Sequence, residues 1–222
     1  MMTTNKLTKT FASGSLAIGV LAGAVLTATS ANAAMLTWLE WVGTPTTPGI
    51  PLIEGDKKVT YVSGSIGAEA VDDVALIKMG DDYYFVYDAM NGPAMANANS
   101  GSFTYTIEVT TPDWYIVGVD LDSNVSSNYG TVTETFGEIP GLMLMSTNGL
   151  PVPATGFIGI SPPLHTLLTI TNTLAANTGE GLFDFQNSFH QRYIPNVPEP
   201  GTILGLLAVG GLGLVSRFKK QK

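Results

Sequence analysis

Alternating apolar and polar positions dominate the middle of the chain. Phe103, Tyr105, Ile107 and Val109 alternate with Thr104, Thr106, Glu108 and Thr110. A period of two predicts a strand with one buried face. Similar runs predict strands over Lys58 to Ser63, Val74 to Met79, Tyr83 to Tyr87, Trp114 to Asp120, Gly130 to Phe136 and Leu167 to Thr173. In the run from Tyr83, aromatic residues occupy both faces, which marks a central strand or an edge strand with exposed rings. Gly80-Asp81-Asp82 and Thr111-Pro112-Asp113 supply chain reversals. The stretch from Pro140 to Pro163 is rich in Pro and Gly and reads as mostly irregular, with one short strand at Phe157 to Ile160. Thr44 to Pro51 reads as an extended lead-in, because its prolines disfavour helix and central strand. With no convincing amphipathic helix between the two ends, the fold class is mainly β: a single antiparallel β-sandwich.

The pattern changes at both ends. Lys6 and Lys9 precede a mostly apolar stretch from Leu16 to Thr29, and Ala31-Asn32-Ala33 follows as an A-x-A site. This predicts a secretory signal peptide over residues 1–33, cut between Ala33 and Ala34 by signal peptidase. At the other end, Thr202 to Val215 carries no charge. As a helix it would span roughly 21 Å at about 1.5 Å per residue, short of the roughly 30 Å hydrocarbon core. It therefore reads as a short transmembrane helix, a marginal and temporary anchor. Arg217, Lys219, Lys220 and Lys222 follow as a basic anchor that a positive-inside bias would hold in the cytoplasm. Pro198 and Pro200 keep the helix from starting earlier and leave Glu199 on an extended segment.

Val197, Pro198, Glu199, Pro200 and Gly201, then a Gly- and Leu-rich run, then the cluster from Arg217, stand in an order that resembles the PEP-CTERM sorting signal of bacterial surface proteins. The resemblance is confined to residues 197–222. It implies an exosortase-type membrane protease as partner and delivery to the cell surface, the outer membrane or an exopolysaccharide matrix. Residues 34–196 remain as the ectodomain, long enough for one self-sufficient core.

Composition sharpens this division. The chain has no cysteine, which excludes disulfides and Cys-based zinc or nucleophile sites. Its formal charge is −8, yet all but one of its 18 acidic residues lie in the ectodomain, where the basic residues are Lys57, Lys58, Lys78 and Arg192. Such a surface repels nucleic acid and anionic membrane and suits solubility outside the cell.

Candidate chemistry is sparse. His165 and His190 lack metal-ligand spacing, and no Ser sits in a G-x-S-x-G elbow. Asp120, Asp122 and Asn124 open like a calcium loop, but Val125 stands where Gly is needed and Thr131 where a bidentate Glu is needed. They read as a weak metal site or, more simply, as an acidic turn at a strand end. Asp72-Asp73 and Asp81-Asp82 are further carboxylate pairs, and two acids across a cleft could hydrolyse a glycoside. Threonines alternate at Thr104 and Thr106, at Thr131, Thr133 and Thr135, and at Thr169, Thr171 and Thr173, so each set lines one strand face. The expectation is an exported, non-enzymatic surface or matrix protein with no required cofactor, structural or adhesive in role. The alternatives are a secreted carbohydrate-active hydrolase and a calcium-stabilised glycan-binding module.

Overall fold

The computed structural model describes residues 32–89, 99–152 and 156–195, all within the unit Ala31–Lys222. Fifteen strands and one short helix follow in chain order: β1 (Asn32–Thr37), α1 (Trp38–Val42), β2 (Gly43–Thr44), β3 (Thr47–Pro48), β4 (Leu52–Glu54), β5 (Lys57–Ser65), β6 (Asp73–Met79), β7 (Asp82–Asp88), β8 (Gly101–Val109), β9 (Trp114–Val125), β10 (Gly130–Phe136), β11 (Met143–Thr147), β12 (Leu150–Val152), β13 (Ile158–Gly159), β14 (Leu167–Ala176) and β15 (Leu182–Tyr193). A six-stranded sheet has the order β1-β6-β7-β15-β9-β13, and a seven-stranded sheet has the order β12-β11-β10-β14-β8-β5-β4. Every pairing is antiparallel.

The two sheets pack face to face over an aromatic core. Phe85, Tyr87, Phe185 and Phe189 come from the first sheet, and Phe103, Tyr105, Ile107 and Ile170 from the second; all are fully buried. Phe85 and Tyr105 meet across the gap with ring centroids 4.6 Å apart. Burying each such side chain contributes about 1.5–3 kcal/mol, so alternation is enough to fix which face of each strand turns inward. On β7, Tyr83, Phe85 and Tyr87 point into the core while Tyr84 takes the other face, between β6 and β15. That resolves the two-faced aromatic run as a central strand.

The strands expected from alternation are present, and several extend further. In three places the structure adds detail. Pro140 to Pro163 holds the expected short strand as β13, and in addition the β11–β12 hairpin, turned by Asn148 (φ 50°) and Gly149 (φ 80°), a left-handed pair suited to a two-residue turn. Thr44 to Pro51 includes the small β2–β3 ladder. The run at Trp38 forms a helical turn with a capping box, in which the Thr37 hydroxyl accepts from the Glu40 amide and the Glu40 carboxylate accepts from the Thr37 amide. A chain beginning at Ala34 would keep the β1 pairs from Ala34–Leu76 to Thr37–Asp73.

Candidate functional site

Strand order turns the separate threonine ladders into one surface. β10, β14 and β8 are neighbours, and β5 lies beyond β8. Their register aligns Ser63, Thr104, Thr171 and Thr135 in one row across four strands, and Ser65, Ser102, Thr173 and Thr133 in the next. Rows of this kind repeat about every 4.8 Å across the sheet and about every 6.8 Å along it. Thr104 and Thr171 share a hydroxyl–hydroxyl hydrogen bond of 2.9 Å. At the margin, the Thr169 hydroxyl donates to Glu138 at 2.7 Å, and Lys58 faces Glu108 at 3.9 Å. Between these margins the outward positions of β8, β14 and β10 that make up the two rows are threonines and Ser102; on β5 the exposed Val62 interrupts the hydroxyls at a bulge, and beyond β10 the rows run on to the exposed Met143 and to Met145.

The outer face of the six-stranded sheet has the opposite character. One row reads Asp73, Asp88, Asp184 and Asn124 across β6, β7, β15 and β9; the next two bring Gln186 beside Asp122 and Ser188 beside Asp120. Burial pushes the Asp184 carboxyl up to about 6; a hydrogen bond from Asn124 at 3.0 Å opposes the shift and the neighbouring Asp88 adds to it. Asp120 is raised by burial and then by Asp122, and Asp122 by burial. Asp82 contacts His190 Nδ1, whose ring packs on Phe157. Nearby, a groove of about 470 Å³ is lined by Val117, Ile160, Pro162, Leu164, His190, Arg192 and Ile194.

These placements change the reading of the acids. Asp120, Asp122 and Asn124 do not form a strand-end turn: they occupy alternate positions within β9, on an extended backbone that spaces them about 6.8 Å apart along the strand. Among the described residues, no group of three or more His, Asp or Glu side chains is arranged to hold a metal ion. The adjacent acids also separate. Asp72 is buried and accepts from Tyr87 at 2.6 Å and from the Glu69 amide at 2.7 Å, whereas Asp73 lies in the outer row. Asp81 lies in the β6–β7 turn and Asp82 begins β7.

A third polar group lies inside the sandwich. Glu134 on β10 is fully buried, and neither carboxylate oxygen has a hydrogen-bond partner. Burial raises its carboxyl well above the usual range, with Asp120 adding to the effect. Beside it on β14, Asn172 accepts from Asn187 at 3.0 Å, and Asn187 also donates to the Tyr105 hydroxyl at 2.7 Å. Sequence reasoning missed this group because its members sit at alternating positions that pattern alone assigns to apolar side chains.

Among the described residues no helix is long and apolar enough to cross a membrane. Ala33 and Ala34 lie in β1. Ala31, Val197 to Gly201, Arg217, Lys219, Lys220 and Lys222 lie outside the described residues.

The described part is thus an antiparallel two-sheet protein with one hydroxyl face and one acidic face. Residues 196–220 match the PEP-CTERM protein-sorting motif, so the chain carries that motif at its C-terminus. Signals of this kind are recognised by exosortase, a membrane protease, and imply an exported, processed protein of the cell surface or exterior. No curated protein and no solved structure matched the chain.

Proposed function

We propose that this chain is a non-catalytic structural or adhesive component of the bacterial surface, and that its hydroxyl face meets neutral exopolysaccharide of the matrix. The observation that carries this reading is the register of β5, β8, β14 and β10, which assembles threonines distant in sequence into one uncharged surface. Sugars present hydroxyls at comparable spacing, and exchange of water for matched hydroxyl partners gives binding without charge. Many weak contacts over an extended polymer add up when several copies engage one chain. The acidic face points away from such a contact and opposes close approach of anionic polymers.

The test is sedimentation of the purified full-length protein with matrix polysaccharide, alongside a glycan array. Thr135 and Thr173 are exposed. Changing both to Lys is expected to weaken binding by about tenfold or more while the melting temperature holds. Absence of binding in both formats, with no aggregation phenotype in a deletion strain, would remove the proposal.

A further inference from the structure

Lys57 opens β5 in the seven-stranded sheet, and its side chain is fully buried. Gln191 lies near the end of β15 in the other sheet, where a register shift between His190 and Gln191 turns it inward; it is 4% exposed. The Lys57 Nζ donates to the Gln191 carboxamide oxygen across the core, joining positions 134 apart in sequence. The same Nζ lies 2.9 Å from Asp56 Oδ1 and 4.4 Å over the Tyr83 ring. The Tyr83 hydroxyl donates to Asp56 Oδ1 at 2.5 Å, while Asp56 Oδ2 is buried with no hydrogen-bond partner.

We propose that Lys57 and Gln191 join as an intramolecular isopeptide, an amide between Lys57 Nζ and Gln191 Cδ, with Asp56 as the proton carrier. The buried Lys57 amine touches both the buried Gln191 carboxamide and the Asp56 carboxylate, whose side chain is 14% exposed, so Lys57 brings together the parts that this condensation needs. Lys57 first passes a proton to Asp56, so that Nζ carries a free lone pair. Burial favours the neutral amine, and the neighbouring charge of Lys78 works in the same direction against the stabilising Asp56 contact; on the acid, burial favours the neutral form, but the hydrogen bonds from Tyr83 and Lys57 outweigh it and hold the carboxyl below its usual range, so the neutral pair is the minor state from which attack occurs. Nζ then attacks Cδ, and the carbonyl electrons move onto oxygen. Protonated Asp56 delivers its proton to the amide nitrogen. The Cδ–N bond breaks with its electron pair on nitrogen, and ammonia departs, carrying off the remaining amine proton as ammonium. Ammonium side chain plus carboxamide thus become secondary amide plus ammonium ion, with atoms and charge conserved. No oxidant or cofactor enters. Either orientation of the carboxamide leaves Cδ one bond beyond the atom that the amine touches.

The position gives the bond a use. The chain has no cysteine, so no disulfide can tie its sheets. A tie between Lys57 and Gln191 closes most of the sandwich into one loop and restricts the unfolded chain. It lies two residues before the end of β15 at Tyr193, close in sequence to the sorting motif that begins at residue 196. Tension applied at the C-terminus would pass into both sheets.

Peptide mapping by mass spectrometry of the folded, full-length protein tests the bond directly, whichever termini processing leaves. The expected result is one branched peptide containing Lys57 and Gln191, lighter than its two linear parts by one ammonia, and faster migration after boiling in detergent. Asp56→Asn is expected to restore the two linear peptides while far-UV circular dichroism stays that of a β protein. Finding Lys57 and Gln191 only in separate linear peptides of the folded wild-type protein would overturn the proposal. Full cross-linking in Asp56→Asn would overturn the role of Asp56.

Discussion

The indole of Trp41 and the ring of Phe85 lie with centroids 5.1 Å apart and planes inclined by 40°. Trp41 belongs to α1, and Phe85 to β7 of the six-stranded sheet. The same indole meets Phe103 and Tyr105 of the opposite sheet at 5.9 and 6.1 Å. The helical turn is therefore a plug driven between the sheets, held at its start by the Thr37–Glu40 capping box. Trp41→Ala removes a ring that is 1% exposed and leaves a cavity among aromatics that cannot collapse. The expected cost is about 3–5 kcal/mol, measured by urea unfolding. The Trp41 indole N–H is buried without a partner, so Trp41→Phe removes that liability and should cost distinctly less.

Acidity separates the folded from the unfolded chain at Asp184. In the folded protein its carboxyl titrates near about 6, against the ordinary value of 3.8. The folded state therefore holds more protons between these values, and stability falls as pH rises through that window. Above about pH 6 the cost is fully present, worth roughly 2 kcal/mol after allowance for partial exposure. Asp184→Asn cannot ionise. Its melting temperature should change less between pH 4 and 6 than that of the wild type, and should exceed it at pH 7. An unchanged slope in thermal melts across this range would sink the assignment.

Much of this architecture can be read from the chain, and the exceptions have physical reasons. Where one face is apolar and the other polar, as from Phe103 to Val109, alternation marks the strand and its inward side together. β15 breaks that rule: Asn187 and Gln191 point inward, so the alternation lapses and the pattern marks no strand there. Asn148-Gly149 is a strong local hairpin signal, masked by the Pro- and Gly-rich composition around it. α1 is too short for a helical period to show. Each threonine ladder was visible alone. Their union was not, because the neighbour relation of β10, β14 and β8 is set by long-range packing rather than local pattern.

Calcium should have little influence on the described fold. Asp120 and Asp122 point from one extended strand at alternate positions, and calcium requires six to eight oxygens gathered around it. The melting temperature measured after chelation, and again with excess calcium, is expected to be the same. A rise on adding calcium that disappears in Asp122→Asn would show a site that the present side-chain arrangement does not provide.

Processing connects the fold to its destination. The last strand among the described residues, β15, lies between β7 and β9, and ends at Tyr193; the sorting motif begins at residue 196. An enzyme acting near Pro198 to Gly201 would therefore cut beyond the sandwich and leave its core pairs intact. Mapping both termini of protein from inner-membrane, surface and medium fractions should find a chain that starts at Ala34 and lacks the segment after Pro200 at the surface or in the medium. Glu199→Ala together with Pro200→Ala should leave an uncut C-terminus in the inner-membrane fraction, because the Pro-Glu-Pro sequence of the sorting motif is lost. The sandwich of that variant should melt as the wild type does. An intact C-terminus confined to the inner membrane in the wild-type strain would mean that the segment acts as a plain anchor, and the surface-matrix function would lose its basis.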